Sequence, residues 1–145
     1  MIKEKKYEKL AFVSTARKEA KSARDSLIEK YGNHDAANAD AIVALGGDGF
    51  MLRTLRRYMT LIRRGLPVYG MNKGTIGFLM NKLNEDDLIS RLSAAEPTTV
   101  KPLKMIAKGA GGTFEELAFN EVSLYRQTQQ AAHIRIKVDK KIRLE

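Results

Sequence analysis

The sequence predicts an α/β fold: an N-terminal open, mostly parallel sheet flanked by helices, followed by the start of a β-rich, antiparallel second domain. Three observations carry this. The continuous apolar run Ala41–Leu45 (AIVAL) ends at Gly46-Gly47-Asp48-Gly49, and strands that are apolar throughout belong in parallel sheets covered on both faces. Strand-like and helix-like segments alternate from Leu10 to the region of Glu96, the order that generates such a sheet. From Pro97 onward the pattern changes to antiparallel strands, clearest in AAHIRIKVD, where apolar and polar residues alternate. The expected boundaries are residues 1–97 for the α/β domain and 98–145 for an incomplete β-rich domain.

Each element has its own signal. LAFV, from Leu10, reads as a short buried strand, with Ser14 and Thr15 after it as helix caps. Ala16, Ala20, Ala23, Leu27 and Tyr31 recur at helical spacing, and Gly32-Asn33 closes that helix. After the glycine turn, Met51 or Leu52, Leu55, Met59 and Ile62 line one side of a second helix ending at Gly65. A third strand centres on Val68 and Tyr69. NEDDLISRLSAAE predicts a helix capped by Asn84, with Glu85, Asp86 and Asp87 in its first turn, where acids complement the helix dipole. Beyond Pro97, strands are expected around 105–107 and 117–124, joined by the KGAGG turn. In the last strand, Ile134, Ile136 and Val138 share one face, and the following DKK offers a turn into IRLE.

Composition narrows the functional classes. The chain has 145 residues, 43% of them hydrophobic, enough for a packed core. Its longest clean apolar run is far short of the roughly 18 residues a membrane span needs, and the N-terminus lacks a signal-peptide core. The absence of cysteine excludes disulfides and thiolate metal sites and is compatible with a reducing cytoplasm, the expected location. A net charge of +9 favours anionic partners such as nucleotides, nucleic acid or polyphosphate. That signal alone is weak, and because acids and bases are interspersed a mostly solvated surface is the favoured explanation. No nucleic-acid-binding signature is present.

The chemistry centres on Gly46-Gly47-Asp48-Gly49. Glycines after a parallel strand let the backbone approach a phosphate, whose charge is met by amides and the next helix N-terminus. Gly46, Gly47 and Gly49 are therefore candidate phosphate binders, with Arg53 one turn later. The spacing matches neither the dinucleotide fingerprint nor the Walker A loop. An acid beside bound phosphate repels it unless it holds a cation or takes a proton from an attacking hydroxyl. Asp48 is therefore either a catalytic acceptor or a turn former that caps the next helix. Asn120-Glu121 interrupts an apolar stretch in LAFNEVSLYR, a polar pair suited to nucleoside hydroxyls or to an exposed bulge. NKGTIGF, residues 72–78, is a second glycine loop whose Phe78 offers an apolar wall. His133 opens the last strand, as a surface residue or a ligand contact.

Three separated stretches, GGDGFMLRTLRR, YGMNKGTIGFL and AFNEVSL, together resemble the bacterial NAD kinase family over essentially all of residues 10–145. The glycine-aspartate core alone is shared with diacylglycerol kinases and phosphofructokinases. The resemblance implies ATP- or polyphosphate-dependent phosphorylation of the 2′-hydroxyl of the adenosine ribose of NAD, giving NADP. It implies Asp48 as general base, and Asp48, Gly49, Arg53, Phe78, Asn120, Glu121 and His133 as NAD contacts. It also implies a divalent cation, usually magnesium, accompanying ATP, and a homo-oligomer, dimeric or tetrameric, at full length. Neither nucleic acid nor membrane is an expected partner. Phe50 stands where many members carry threonine, a departure expected to leave the chemistry intact. Family members continue through a further nucleotide-binding stretch that nothing here matches, so the sequence reads as the first half of the enzyme, with poor NAD binding and little activity by itself. The alternatives are a lipid or sugar kinase sharing the glycine-aspartate turn, or a non-catalytic basic module binding nucleic acid or another anion.

Overall fold

Strands β1 (Leu10–Ser14), β2 (Ala41–Leu45), β3 (Val68–Asn72) and β4 (Asn81–Lys82) pair in that order, all parallel, in a computed structural model that describes residues 7–74 and 77–145. The connections are α1 (Lys18–Tyr31), a 3₁₀ turn at Ala36–Asn38, and α2 (Asp48–Arg57) with α3 (Met59–Arg63); α4 (Leu88–Ala94) follows β4. Every residue of β2 is buried, as its unbroken apolar run requires. Alternation divides its contacts. Ala41, Val43 and Leu45 join Leu10, Phe12 and Met71 in a core closed by Ala23 and Leu27 of α1 and Leu88 and Leu92 of α4. On the opposite face, Gly70 leaves room for Met51 of α2 and for Met80; a Cβ there would overlap Met51 and stand 2.9 Å from the Leu79 carbonyl oxygen. This is the expected fold class, with helices on both faces of a parallel sheet.

Several local expectations are corrected. Ser14 and Thr15 do not cap α1. Ser14 ends β1 and the Thr15 amide donates to the Leu45 carbonyl (3.0 Å), so both continue the sheet, and α1 begins after Arg17 with no side-chain cap. Their hydroxyl oxygens are buried without a hydrogen-bond partner among the described residues. The single second helix is two helices broken at Tyr58. Of the expected stripe, Met51 is buried, whereas Leu52, Leu55, Met59 and Ile62 are only half-buried and Thr54 takes the second buried position of α2. The Thr54 hydroxyl donates back to the Phe50 carbonyl (2.8 Å), a bond that satisfies it inside the protein and bends helices. Asn84 is not the cap of α4: it accepts from the Asp86 amide (2.9 Å), and the acids precede the helix. There they serve α1. Ser26 donates to Glu85 (2.5 Å), Lys30 to Asp86 (3.0 Å), and the Tyr31 hydroxyl lies 3.3 Å from both the Glu85 carbonyl and the Leu88 amide. The Asp86 carboxylate raises the Lys30 ammonium pKa above its ordinary 10.5.

The chain divides into two compact units, the first ending at Thr99 and the second running from Val100 to Glu145. Taken by itself, the second consists of two antiparallel hairpins, β5 (Leu103–Gly109) with β6 (Gly112–Ala118) and β7 (Ile136–Val138) with β8 (Lys141–Leu144). The KGAGG and DKK turns fall as expected, the latter with Asp139 and Lys140 both left-handed, the type I′ geometry that hairpin twist prefers. Two expectations fail. The strand predicted to run through residue 124 stops at Ala118, and the last strand starts at Ile136 rather than His133. No residue from Val100 onward is buried, so Ile134, Ile136 and Val138 do not form a half-buried face. Two-stranded sheets have no second layer against which to bury one.

Candidate active site

The turn after β2 lies at the carboxyl edge of the parallel sheet, where open α/β folds build ligand sites. It is tied to both neighbouring strands. The Gly46 amide donates to the Met71 carbonyl (3.0 Å), while the Thr15 amide reaches Leu45 from the other side. Gly46 is required by packing, because a Cβ there would stand 2.7 Å from Thr15 Cγ2 and 2.9 Å from Phe50 Cβ. Gly47 is extended and caps α2, its carbonyl accepting from the Phe50 (2.9 Å) and Met51 (3.0 Å) amides. Asp48 and Gly49 then occupy the first two positions of α2, where N–H groups have no intrahelical acceptor. A Cβ at Gly49 would meet nothing within 4 Å, and one at Gly47 would meet only Asn72 Nδ2, at 4.0 Å.

The N-cap of α2 is Gly47, and Asp48 is already its first helical residue. Asp48 Oδ2 accepts from the Phe78 amide (3.0 Å) and Oδ1 from the Leu79 amide (3.2 Å). The glycine turn and the end of the NKGTIGF loop are thus joined through one carboxylate. Thr75 and Ile76 of that loop lie outside the described residues. The Phe78 side chain is fully exposed. Arg53, also exposed, places its guanidinium 5.9 Å from the Phe50 ring centroid, within cation–π range. The sequence that builds this region is basic: from Gly49 to Asn84 the chain carries Arg53, Arg56, Arg57, Arg63, Arg64, Lys73 and Lys82 and no acid.

Asn120, Glu121 and His133 belong to the second unit. All three are exposed and lie outside regular structure, the first two just after β6 and His133 before β7. The reading of Asn120-Glu121 as an interruption within a strand is corrected accordingly. A cleft of about 410 Å³ is lined by Lys18, Ser22, Lys73, Leu83 and their neighbours, but Asp48 is not part of it. Among the described residues, no three His, Cys, Asp or Glu side chains come together to hold a metal ion. Sequence reasoning missed the part Gly77 plays, although the second glycine of NKGTIGF was the visible signal.

Comparison with known proteins places the chain in a family. The family model described as the ATP-NAD kinase N-terminal domain matches residues 1–95. An NAD kinase of Brucella suis is 50% identical over 137 residues, 94% of this chain and 52% of its own length. One from Mesorhizobium japonicum is 51% identical over the same shares, and one from Rhizobium meliloti is 46% identical over 97% of this chain and 54% of its own. The chain thus spans about half the length of the curated relatives it matches. A parallel sheet whose second strand delivers an aspartate into a glycine turn, together with a family match over nearly two-thirds of the chain, leads to one assignment: the chain belongs to the ATP-NAD kinase family, through its N-terminal domain.

Proposed function

We propose that this chain supplies the acceptor half of an NAD kinase, with Asp48 as the base that takes the proton from the 2′-hydroxyl of the adenosine ribose of NAD as ATP phosphorylates it to give NADP. The observation that carries this reading is the Asp48 carboxylate, held at the carboxyl edge of the sheet by the Phe78 and Leu79 amides. A secondary hydroxyl is a poor nucleophile at neutral pH, and a positioned base contributes on the order of 10²–10⁴-fold. Two observations support phosphate chemistry beside it. Gly47 and Gly49 have room for a side chain, so the protein's own packing does not demand glycine there, whereas close approach of a ligand does. The free amides at the start of α2 and the acid-free segment from 49 to 84 favour polyanionic groups.

In this reading Arg53 adds charge beside the transferring phosphoryl group, and Phe78, Asn120, Glu121 and His133 contact NAD. Polyphosphate is an alternative donor. Magnesium accompanies ATP's phosphates, as it commonly does. The described residues build no protein-only cage for it. The setting is a cytoplasmic homo-oligomer, dimeric or tetrameric, formed by the full-length protein.

The test is NADP formation from NAD and ATP by this chain and by a C-terminally extended version, each with its Asp48→Asn variant. We expect the substitution to lower kcat by about 10²–10⁴-fold. Absence of NADP formation by both wild-type forms would refute the kinase reading. Equal activity of variant and wild type would remove Asp48 from the role of base.

A further inference from the structure

Gly77 stands where the chain crosses the Asp48 side chain. A Cβ built on it would overlap the carboxyl carbon and both oxygens of Asp48. That close approach by itself disfavours any side chain at this position. The next two residues use that proximity: Phe78 donates to Oδ2 and Leu79 to Oδ1. Two consecutive amides on the two oxygens of one carboxylate fix both its position and its plane. A carboxylate offers about four acceptor sites, so this grip leaves each oxygen able to receive a hydroxyl proton.

We propose that Gly77 is a positioning residue for Asp48: by lacking a side chain it lets the 77–79 segment hold the carboxylate in the one orientation in which it meets the acceptor hydroxyl. The inference rests on the reading of Asp48 as proton acceptor. Its consequence is that Gly77 acts on the chemical step although its own atoms need not touch either substrate.

The experiment is a double-mutant cycle of Gly77→Ala and Asp48→Ala, assayed for NADP formation and followed by the amide signals of Phe78 and Leu79 in ¹⁵N–¹H spectra. Misplacing a reacting group by about 1 Å costs roughly 10²-fold, so Gly77→Ala is expected to lower kcat by about that factor while leaving the KM for ATP within about twofold. In the Asp48→Ala background, where the added methyl has room, it is expected to change kcat by less than about twofold, the non-additivity of residues acting as a unit. The Phe78 and Leu79 amide protons should move upfield together in either single variant, as charge-assisted bonds are lost. Unchanged kcat in Gly77→Ala, an equal loss in both backgrounds, or amide signals indifferent to Asp48→Ala would each overturn the proposal. The turnover is measured on the C-terminally extended version as well as this chain; absence of wild-type turnover in both would instead overturn the kinase reading on which the role of Asp48 rests, and the amide signals would still decide whether the segment after Gly77 holds that carboxylate.

Discussion

Asp48 shows how much one side chain's partners matter. By sequence it was as well suited to capping α2 as to catalysis; in the fold Gly47 is the cap, and the Asp48 carboxylate accepts from the Phe78 and Leu79 amides. The three glycines around it differ just as sharply. Gly46 is wedged against Thr15 and Phe50, whereas Gly49 faces open space. Gly49→Ala is therefore expected to leave stability unchanged or raise it by up to about 1 kcal/mol, since alanine is the better helix former. The same substitution should weaken NAD or ATP binding, because a methyl now stands where a phosphate or ribose approaches. Thermal unfolding and isothermal titration on one variant check both halves. A loss of stability without a loss of binding would place Gly49 in the structural framework.

At the scale of elements, the periodicities located β1, β2, β3 and the buried side of α1, with Ala23 and Leu27 in the core, but they missed the short β4 and the break between α2 and α3. Met51, which the sequence left as an alternative to Leu52, seats α2, because Gly70 on β3 opens a recess for it. Gly70→Ala should cost about 1–3 kcal/mol, the usual price of overpacking, measured by denaturant unfolding. The Met51 and Met80 tips are able to swing aside, but the Leu79 carbonyl is backbone and is not. That carbonyl belongs to the residue whose amide holds Asp48, so the substitution is also expected to disturb the site, whereas a comparable cavity such as Leu27→Ala in the α1 core should reduce stability alone. Cap positions were the least legible feature. Ser14, Thr15 and Asn84 have capping chemistry, yet the sheet claims the first two and a tight turn claims the third.

Across the whole molecule the two units differ in kind. The first has a layered core running from Leu10 to Leu92. The second leaves Leu103, Ile106, Phe114, Leu124, Ile136 and Ile142 at least 44% exposed, so its hairpins rest on ladder bonds and turns. Native-state hydrogen exchange should reflect this: amides of β1, β2 and β3 are expected to be protected by at least about 10³-fold more than those of β7 and β8, as global and local openings differ in free energy. Comparable protection in the two units would show that the apolar faces of the second are covered in solution.

The sequence by itself determined the order of strands and helices, the change of grammar after Pro97, the glycine-aspartate turn and the family, because these depend on local periodicity and on residues close together in the chain. Both hairpin turns were legible for the same reason. Only the tertiary structure decided what Asp48 touches. Its partners lie 30 and 31 positions away, and they arrive because β2 and β3 pair in a register that sets Leu45 beside Met71. The glycine at 77 that makes this approach possible was visible as a letter, but its purpose appears only when the carboxylate is found where its side chain would have been.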